Sequence, residues 1–402
     1  MTDLRRSLRD EVDRVRPPEL WGAIEARATA PQQGPDVLMD LPSRLRRADR
    51  PPPARSRLTA TVVGLAVFAG LAVGLWSLLR STGAPSGTAC AVGERVGPSS
   101  VGSLDDVDAL GPRDVWAVGQ SASRETQPGL VLHFDGRAWS RLPLPDAAGE
   151  LTGVAALSDA DVWVVGRRLL HYDGARWLVF ESPVPIGAST VFGFNNVVAL
   201  AADDVWAAGS FGTDDGHVHA FAAHWDGSAW TVAETPSRWI AWSSTAFGID
   251  ARSSDDVWVV GARSSSDAGT IDRSFAMHWD GEAWRTVPTT GAGVLYDIAI
   301  VRSSEVWAVG SGSAGSVVER WNGSRWRVVR QAEDPTNLHA VAADRGRVWA
   351  AGGDAVLRLA GATWSSAAPV PGTSLLGISA ADGHAWAVGT TSSGRTLVEH
   401  HC

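Results

Sequence analysis

The sequence predicts an all-β fold, a seven-bladed β-propeller, preceded by a single transmembrane helix and a short helical N-terminal arm. Three observations predict it. A six-residue motif recurs seven times, a hairpin motif follows six of those copies, and one uncharged segment near the N-terminus is long enough to cross a membrane. Repeats of about 40 to 45 residues indicate four-stranded blades, because such a unit buries its faces only by stacking on its neighbours.

The recurring motif is a short apolar strand centred on tryptophan. It reads DVWAVG at 114–119, DVWVVG at 161–166, DVWAAG at 204–209, DVWVVG at 256–261, EVWAVG at 305–310, RVWAAG at 347–352 and HAWAVG at 384–389. Its tryptophans are on average one blade length apart, since (386 − 116)/6 = 45 residues. Periodic aromatic residues in a repeat fill the space between adjacent blades, so we interpret these as structural. They are Trp116, Trp163, Trp206, Trp258, Trp307, Trp349 and Trp386.

The second motif is a hairpin tip. It reads HFDGRAW at 133–139, HYDGARW at 171–177, HWDGSAW at 224–230, HWDGEAW at 278–284, RWNGSRW at 320–326 and RLAGATW at 358–364. Asp-Gly between apolar segments favours a tight hairpin, because glycine adopts positive φ at little cost. Each repeat therefore divides into four strands. The histidines before the tips fall in different blades and are interpreted as structural; they are His133, His171, His224, His278 and the aligned His400.

The last repeat is incomplete, because the chain stops at Cys402 where the other repeats have a hairpin tip. The missing fourth strand is available at the other end of the ring, in residues 91–96. We expect this segment to complete the seventh blade. Cys90 would then begin the fourth strand where Cys402 ends the third, and we predict a disulfide between them that replaces the absent turn. A disulfide requires an oxidising compartment.

The predicted membrane anchor is residues 58–79, which contain no charged residue over 22 positions. As a helix this segment is about 33 Å long, enough for the hydrocarbon core. Residues 44–57 before it hold six arginines and one aspartate, and the positive-inside rule therefore predicts a cytoplasmic N-terminus and an extracytoplasmic propeller. The predicted divisions are a helical arm (1–30), a Pro/Arg-rich linker (31–57), the helix (58–79), a linker (80–89) and the propeller (90–402).

Charge is divided unevenly along the chain. Residues 1–57 hold 12 arginines and 9 acidic residues, a net charge of +3, and Arg80 adds one more. Since the whole chain carries −9, residues 81–402 carry −9 − 3 − 1 = −13. This argues against a nucleic-acid partner, because phosphate binding needs a basic surface. The chain has no lysine and is rich in alanine and glycine, which is typical of high-GC bacterial codon usage.

Irregular loops in the third and fourth repeats are the predicted place of function, because variable loops on a rigid scaffold usually carry it. The candidate ligand-binding residues are Arg238, Trp239, Trp242, Asp214, Asp215 and His217. The two tryptophans fall outside the repeat positions, and the alternative is that they cover the edge of a blade. Asp214, Asp215, His217 and His219 can also be read as metal ligands, although a solvated acidic loop is the preferred interpretation. No catalytic constellation, metal site or cofactor is predicted.

Residues 91–402 resemble the bacterial propellers with DVWAVG and HWDGxxW repeats, which are grouped with kelch, WD-repeat and Asp-box proteins. The arm weakly resembles actinobacterial anti-sigma-type membrane proteins, but residues 1–57 lack the His/Cys cluster of their zinc-binding forms. The resemblance implies the fold and leaves three functions open. The first is an extracytoplasmic binding module for a protein or glycan. The second is a sensor whose residues 1–30 contact a cytoplasmic partner such as a sigma factor, and the third is an enzyme acting on polysaccharide.

Overall fold

The computed structural model describes residues 94–95, 100–121, 129–233, 235–236, 243–264, 271–291, 293–332, 337–360, 363–366 and 371–402. The predicted arm (1–30), linkers (31–57 and 80–89) and transmembrane helix (58–79) lie outside them. Within those described ranges, no helix is long and apolar enough to cross a membrane.

The described chain forms seven four-stranded antiparallel sheets arranged as the blades of a propeller, so the predicted all-β, seven-bladed fold is confirmed. It begins with a short strand, β1 (Glu94–Arg95). Blade 1 follows with β2 (Gly102–Gly111), β3 (Asp114–Ser121), β4 (Gly129–Phe134) and β5 (Trp139–Arg141). Blade 2 contains β6 (Leu151–Ser158), β7 (Asp161–Gly166), β8 (Leu169–Tyr172) and β9 (Trp177–Phe180). Blade 3 contains β10 (Thr190–Ala201), β11 (Asp204–Gly212), β12 (Val218–Trp225) and β13 (Trp230–Ala233).

Blades 4 to 6 repeat the same order of strands. Blade 4 contains β14 (Ser244–Ser253), β15 (Asp256–Ser264), β16 (Ile271–Trp279) and β17 (Trp284–Val287). Blade 5 contains β18 (Val294–Arg302), β19 (Glu305–Gly312), β20 (Gly315–Trp321) and β21 (Trp326–Gln331). Blade 6 contains β22 (Ala340–Asp344), β23 (Arg347–Gly352), β24 (Ala355–Ala360) and β25 (Thr363–Ser366).

Blade 7 is built from both ends of the described chain. Its inner three strands are β26 (Thr373–Ala381), β27 (His384–Thr391) and β28 (Thr396–His401), and its outer strand is β1. The strand β1 pairs antiparallel with β28, with Glu94 opposite His400 and Arg95 opposite Glu399. The ring is therefore closed by strand pairing between two distant parts of the sequence.

The core lies between the blades rather than inside any one of them. Trp163 of blade 2 is 1% exposed, and its ring centre lies 5.3 Å from that of Trp225 and 5.5 Å from that of Trp230, both in blade 3. All seven repeat tryptophans are buried, at 1–4% exposure. Because one large ring fills each space between blades, removing one leaves a cavity that the rigid sheets cannot close.

The two faces of the ring differ in how their connections are built. One face carries the short turns between first and second strands, such as 158–161, and the hairpins between third and fourth strands, such as 173–176. We call this the tight-turn face. The opposite face carries the second-to-third loops and the connections between blades, and we call it the irregular face. Each inner strand starts at the irregular face and ends at the tight-turn face.

Candidate functional site

The tight-turn face repeats one arrangement of three side chains in blades 1 to 4. The aspartate that begins the second strand accepts a hydrogen bond from Nε2 of the histidine near the end of the third strand, at 2.7–2.9 Å. That imidazole stacks on the repeat tryptophan, with ring centres 4.1–4.3 Å apart. The pairs are Asp114–His133, Asp161–His171, Asp204–His224 and Asp256–His278. Each histidine thus joins two strands of its own blade.

The hairpin tips on this face are held by their aspartates. Oδ1 of Asp226 accepts hydrogen bonds from the backbone N–H groups of Ser228 and Ala229, both at 2.9 Å, and from the Ser228 hydroxyl at 2.7 Å. The Ser228 hydroxyl and those two N–H groups lower the pKa of Asp226 to about 2. These carboxylates serve the turns, so the repeated motifs of this face account for structure rather than for ligand binding.

A different arrangement occurs where the inner strands begin, at the irregular face. At the start of each inner strand, or in blade 6 directly before it, one half-buried side chain lies at the end of the central channel and follows a buried apolar residue. We call this set the mouth ring. It comprises Asp105, Thr152, Asn195, Phe247, Tyr296, His339 and Leu376, one from each blade. These side chains, together with four residues of the next layer, line a cavity of about 150 Å³.

The mouth ring is polar on one side and aromatic on the other. Blades 1 to 3 contribute a carboxylate, a hydroxyl and an amide. Blades 4 to 6 contribute three rings in succession: Phe247 and Tyr296 have centres 5.6 Å apart at 59°, and Tyr296 and His339 stack at 5.1 Å and 25°. Burial lowers the pKa of His339, which favours a neutral imidazole at neutral pH. The aromatic side of the ring is therefore uncharged.

The charge at the mouth comes from carboxyl groups. Burial raises the pKa of Asp105, while hydrogen bonds from the Ser103 hydroxyl at 3.0 Å and Gln120 Nε2 at 3.3 Å favour its ionised form. Asp106 and Asp297 line the floor of the cavity. No arginine occurs among the described residues that line it. The mouth can thus accept a cationic or neutral group, since no positively charged side chain is among these described lining residues to pair with an anion.

Carboxyl groups also connect neighbouring blades around the channel. Oδ2 of Asp297 accepts the Val341 N–H at 2.8 Å, and Oδ2 of Asp106 accepts the Val154 N–H at 2.9 Å, each from the next blade. Burial raises the pKa of Asp297 to about 7, in spite of the hydrogen bond from Val341. Deeper in the channel, Asp250 binds the Ile300 N–H at 2.6 Å in the same way, and burial raises its pKa to about 7.

The hydrogen bonds between neighbouring blades require their inner strands to lie close together. A Cβ atom added to Gly248 would lie 2.7 Å from Cα of Asp297, and one added to Gly153 would lie 2.9 Å from Cα of Asn196. Glycine at these positions lets the inner strands of neighbouring blades approach until a side chain of one reaches the backbone of the next.

The predicted candidates Asp214, Asp215 and His217 lie on the irregular face, in the hairpin between β11 and β12. Asp215 accepts hydrogen bonds from the Thr213 hydroxyl and from the His217 N–H, and the Thr213 hydroxyl is the main cause that lowers its pKa. Its carboxylate thus supports the turn. In the described part of the chain, no group of three His, Cys, Asp or Glu side chains is placed to hold a metal ion. His219 is buried, with its ring 5.4 Å from that of Phe211.

The other predicted candidates, Arg238, Trp239 and Trp242, lie outside the described residues, as does Cys90. Among the described residues, Ser243 contacts the strand that follows the predicted hairpin. Ser243 Oγ accepts the Val218 N–H at 3.1 Å, so the residue that follows the segment contacts the start of β12.

The mouth ring was not among the predicted site residues. Its members share no residue type, and inner strands are short apolar runs without a distinctive motif. One signal could have found them: each follows a buried residue at the same position of its inner strand, such as Leu151 before Thr152 or Leu295 before Tyr296. Aligning the inner strands on that position brings the seven residues into one column.

Comparison with solved structures shows the propeller fold. The chain is similar to YCF48 bound to D1 peptide, with a TM-score of 0.53 and 18% identity over 77% of this chain and 95% of that one. It is similar to the WD40 propeller domain of Doa1, with a TM-score of 0.54 and 12% identity over 78% and 97% of the two chains. It is also similar to the RRP9 WD40 repeats, with a TM-score of 0.53 and 12% identity over 77% of this chain and 96% of that one. No protein-family model and no curated protein matches the chain.

Proposed function

We propose that this chain is a membrane-anchored, extracytoplasmic binding protein that holds a cationic segment of another polypeptide at its mouth ring. One observation carries this proposal. A scaffold that repeats its turns, tryptophans and histidines from blade to blade places seven unlike side chains around one cavity. Variable side chains on a rigid scaffold, with an aromatic arc beside a few polar groups, are typical of a binding site.

The ligand class follows from the chemistry of the ring. Asp105 supplies a carboxylate acceptor at the mouth, and the faces of Phe247 and Tyr296 supply the negative side of an aromatic quadrupole. A lysine or arginine side chain satisfies both, through charge-assisted hydrogen bonds and cation–π contact. The similar propeller of YCF48 was solved with a D1 peptide, which supports a polypeptide as the molecule that carries this side chain.

The proposed location follows from the sequence before the propeller. The uncharged segment 58–79 and its arginine-rich flank favour an anchored chain whose propeller lies outside the membrane. Within the propeller, β1 runs from the tight-turn face towards the irregular face, because it is antiparallel to β28. The strand β1 therefore begins on the face opposite the mouth ring.

The test is selection of a phage-displayed library of random dodecapeptides on the full-length chain in detergent. We expect the selected peptides to be rich in lysine and arginine. Tyr296→Ala and Asp105→Asn should each weaken their binding about 10-fold or more, as for a central interface residue. The matched control is Val329→Ala, an exposed apolar residue on the outer strand β21, which should leave binding unchanged.

Thermal melts of the variants separate a lost contact from a lost fold. Binding loss with an unchanged melting temperature supports the mouth ring as the site. Selected peptides that bind Tyr296→Ala and Asp105→Asn as tightly as the parent chain contradict the site. Enrichment of acidic peptides, or binding to a glycan array and not to peptides, contradicts the proposed ligand class.

A further inference from the structure

Blade 7 departs from blades 1 to 4 at the pair of side chains beneath its tryptophan. Its second strand begins with His384, where the other four begin with aspartate. Nδ1 of His384 lies 3.0 Å from Nε2 of His400, and the two rings stack with centres 5.0 Å apart. The ring of His400 stacks on Trp386 at 4.1 Å, as the other histidines stack on their tryptophans.

Replacing the carboxylate by an imidazole changes which protonation states the pair can hold. A hydrogen bond between two imidazole nitrogens needs one N–H and one lone pair. In blades 1 to 4 the partner is a carboxylate, which accepts a hydrogen bond from either form of the imidazole. In blade 7 two protonated histidines would face each other with two N–H groups and two like charges, so the contact would become repulsive.

The residues on either side of His400 in β28 are buried. Glu399 and His401 are each 2% exposed, and His401 Nε2 lies 3.3 Å from Glu399 Oε2. In the turn before His384, the Gly383 N–H donates to Asp344 Oδ2 of blade 6 at 2.7 Å. The ionisable groups on the elements packed around the pair are Glu399 and His401 on β28, Asp382 in the turn, Asp344, Arg345 and Arg347 of blade 6, and Asp108 on β2. The sequence of the neighbouring strand β1 is Glu94-Arg95.

The geometry points to an acid-sensitive latch: the His384–His400 pair holds blade 7 closed at neutral pH and releases β28 when both imidazoles become protonated. Such release separates β28, together with its partner β1, from β27. The inference is independent of the ligand proposed for the mouth ring, because the pair lies at the tight-turn end of the blade.

The direction of the pH dependence follows from His400. Burial, together with the charges of His384 and His401, lowers the pKa of His400 to about 4, below the value of about 6.5 in an unfolded chain. Stability from this group is therefore fully present above about pH 6.5. It is lost as the pH falls towards 4, because the opened blade binds the proton more tightly than the closed one.

The test is hydrogen exchange of the full-length chain in detergent at about pH 7 and about pH 4.5, corrected for the intrinsic rate. We expect the protection of β27 and β28 amides to fall on the order of 30-fold relative to β7 and β8 of blade 2. His384→Asp rebuilds the pair found in the other blades and should abolish this loss. The matched change Asp161→His creates a histidine pair in blade 2 and should produce a similar loss in β7 and β8, measured there against β11 and β12 of blade 3.

A second substitution keeps the test informative if His384→Asp fails to fold. His384→Asn offers an amide oxygen to His400 and cannot be protonated in this range, so it should lessen the loss of protection in blade 7 at about pH 4.5. The inference is wrong if blade 7 of the parent chain keeps its protection in acid. It is equally wrong if the folded His384→Asp or His384→Asn chain loses protection as much as the parent does.

Discussion

Blade 2 and blade 7 hold the same tryptophan in the same place by different means. In blade 2, Trp163 stacks on an imidazole that is paired with a carboxylate, and a hairpin joins the third and fourth strands. In blade 7, Trp386 stacks on an imidazole that is paired with another imidazole, and the fourth strand arrives from a distant part of the chain. Both tryptophans are almost fully buried.

The two blades show which features the propeller needs in every blade and which can differ between blades. The buried ring between blades is present in both, so packing is the common requirement. The polar partner of the histidine and the covalent connection between outer strands differ, so the fold accepts more than one solution for each. The expected effects of changing these features therefore rank in that order.

The largest effect should come from the tryptophans themselves. Trp163→Ala and Trp386→Ala should each lower the free energy of unfolding by about 3–5 kcal/mol, because each leaves a cavity between rigid sheets. Urea unfolding followed by fluorescence measures both. Leu178→Ala, on the half-exposed outer strand β9, is the control and should change stability by less than about 0.5 kcal/mol. A much smaller cost in blade 7 than in blade 2 would show that the closing blade is packed differently.

A smaller effect should come from the predicted Cys90–Cys402 disulfide, which has no counterpart in blade 2. Cys402 follows the end of β28 and Cys90 precedes β1 by four positions, so the observed pairing of Glu94 with His400 favours the bond. Cys402→Ser should lower the free energy of unfolding by about 2–4 kcal/mol. Mass spectrometry after alkylation without reductant should find no modified thiol in the native chain; two modified thiols would contradict the bond.

The smallest effect should come from the hairpin of blade 2 that blade 7 lacks. Oδ1 of Asp173 accepts the N–H groups of Ala175 at 3.0 Å and Arg176 at 2.9 Å in an exposed turn. Asp173→Ala should shift the urea midpoint by less than about 0.5 M, because water can replace the carboxylate there. Asp173→Asn keeps the accepting oxygen and should shift it less. A shift as large as that of Cys402→Ser would mean that the turn matters as much as the ring closure.

The fold could be predicted from the sequence because the residues that repeat are the ones that pack between the blades. Trp116 and its six counterparts mark the second strand of every blade, and the Asp-Gly tips mark the hairpins. The closing strand could also be predicted, because a last repeat with three strands implies that its fourth strand comes from another part of the chain. The observed β1 lies inside the predicted segment 91–96 and pairs with the expected strand.

The candidate site was harder to predict for a physical reason. In a repeat protein, candidate functional residues are the ones that differ from the repeated pattern. The long loop with Asp214, Asp215 and His217 differs from it most clearly. In the mouth ring each blade contributes a single residue, and the residue types differ from blade to blade. Thr152, Phe247 and His339, for example, share no chemical property that a sequence pattern could show. Only the convergence of seven inner strands on one axis turns such scattered residues into a site.

The closing of the ring by β1 and β28 has a consequence for how the protein is made. The residues that pair, Glu94 and His400, are separated by 400 − 94 = 306 positions. At about 5–20 residues per second, β1 leaves the ribosome some 15–60 seconds before its partner strand exists. During that interval the outer strand of the last blade has no partner, and an unpaired strand is prone to aggregation until β28 has been synthesised.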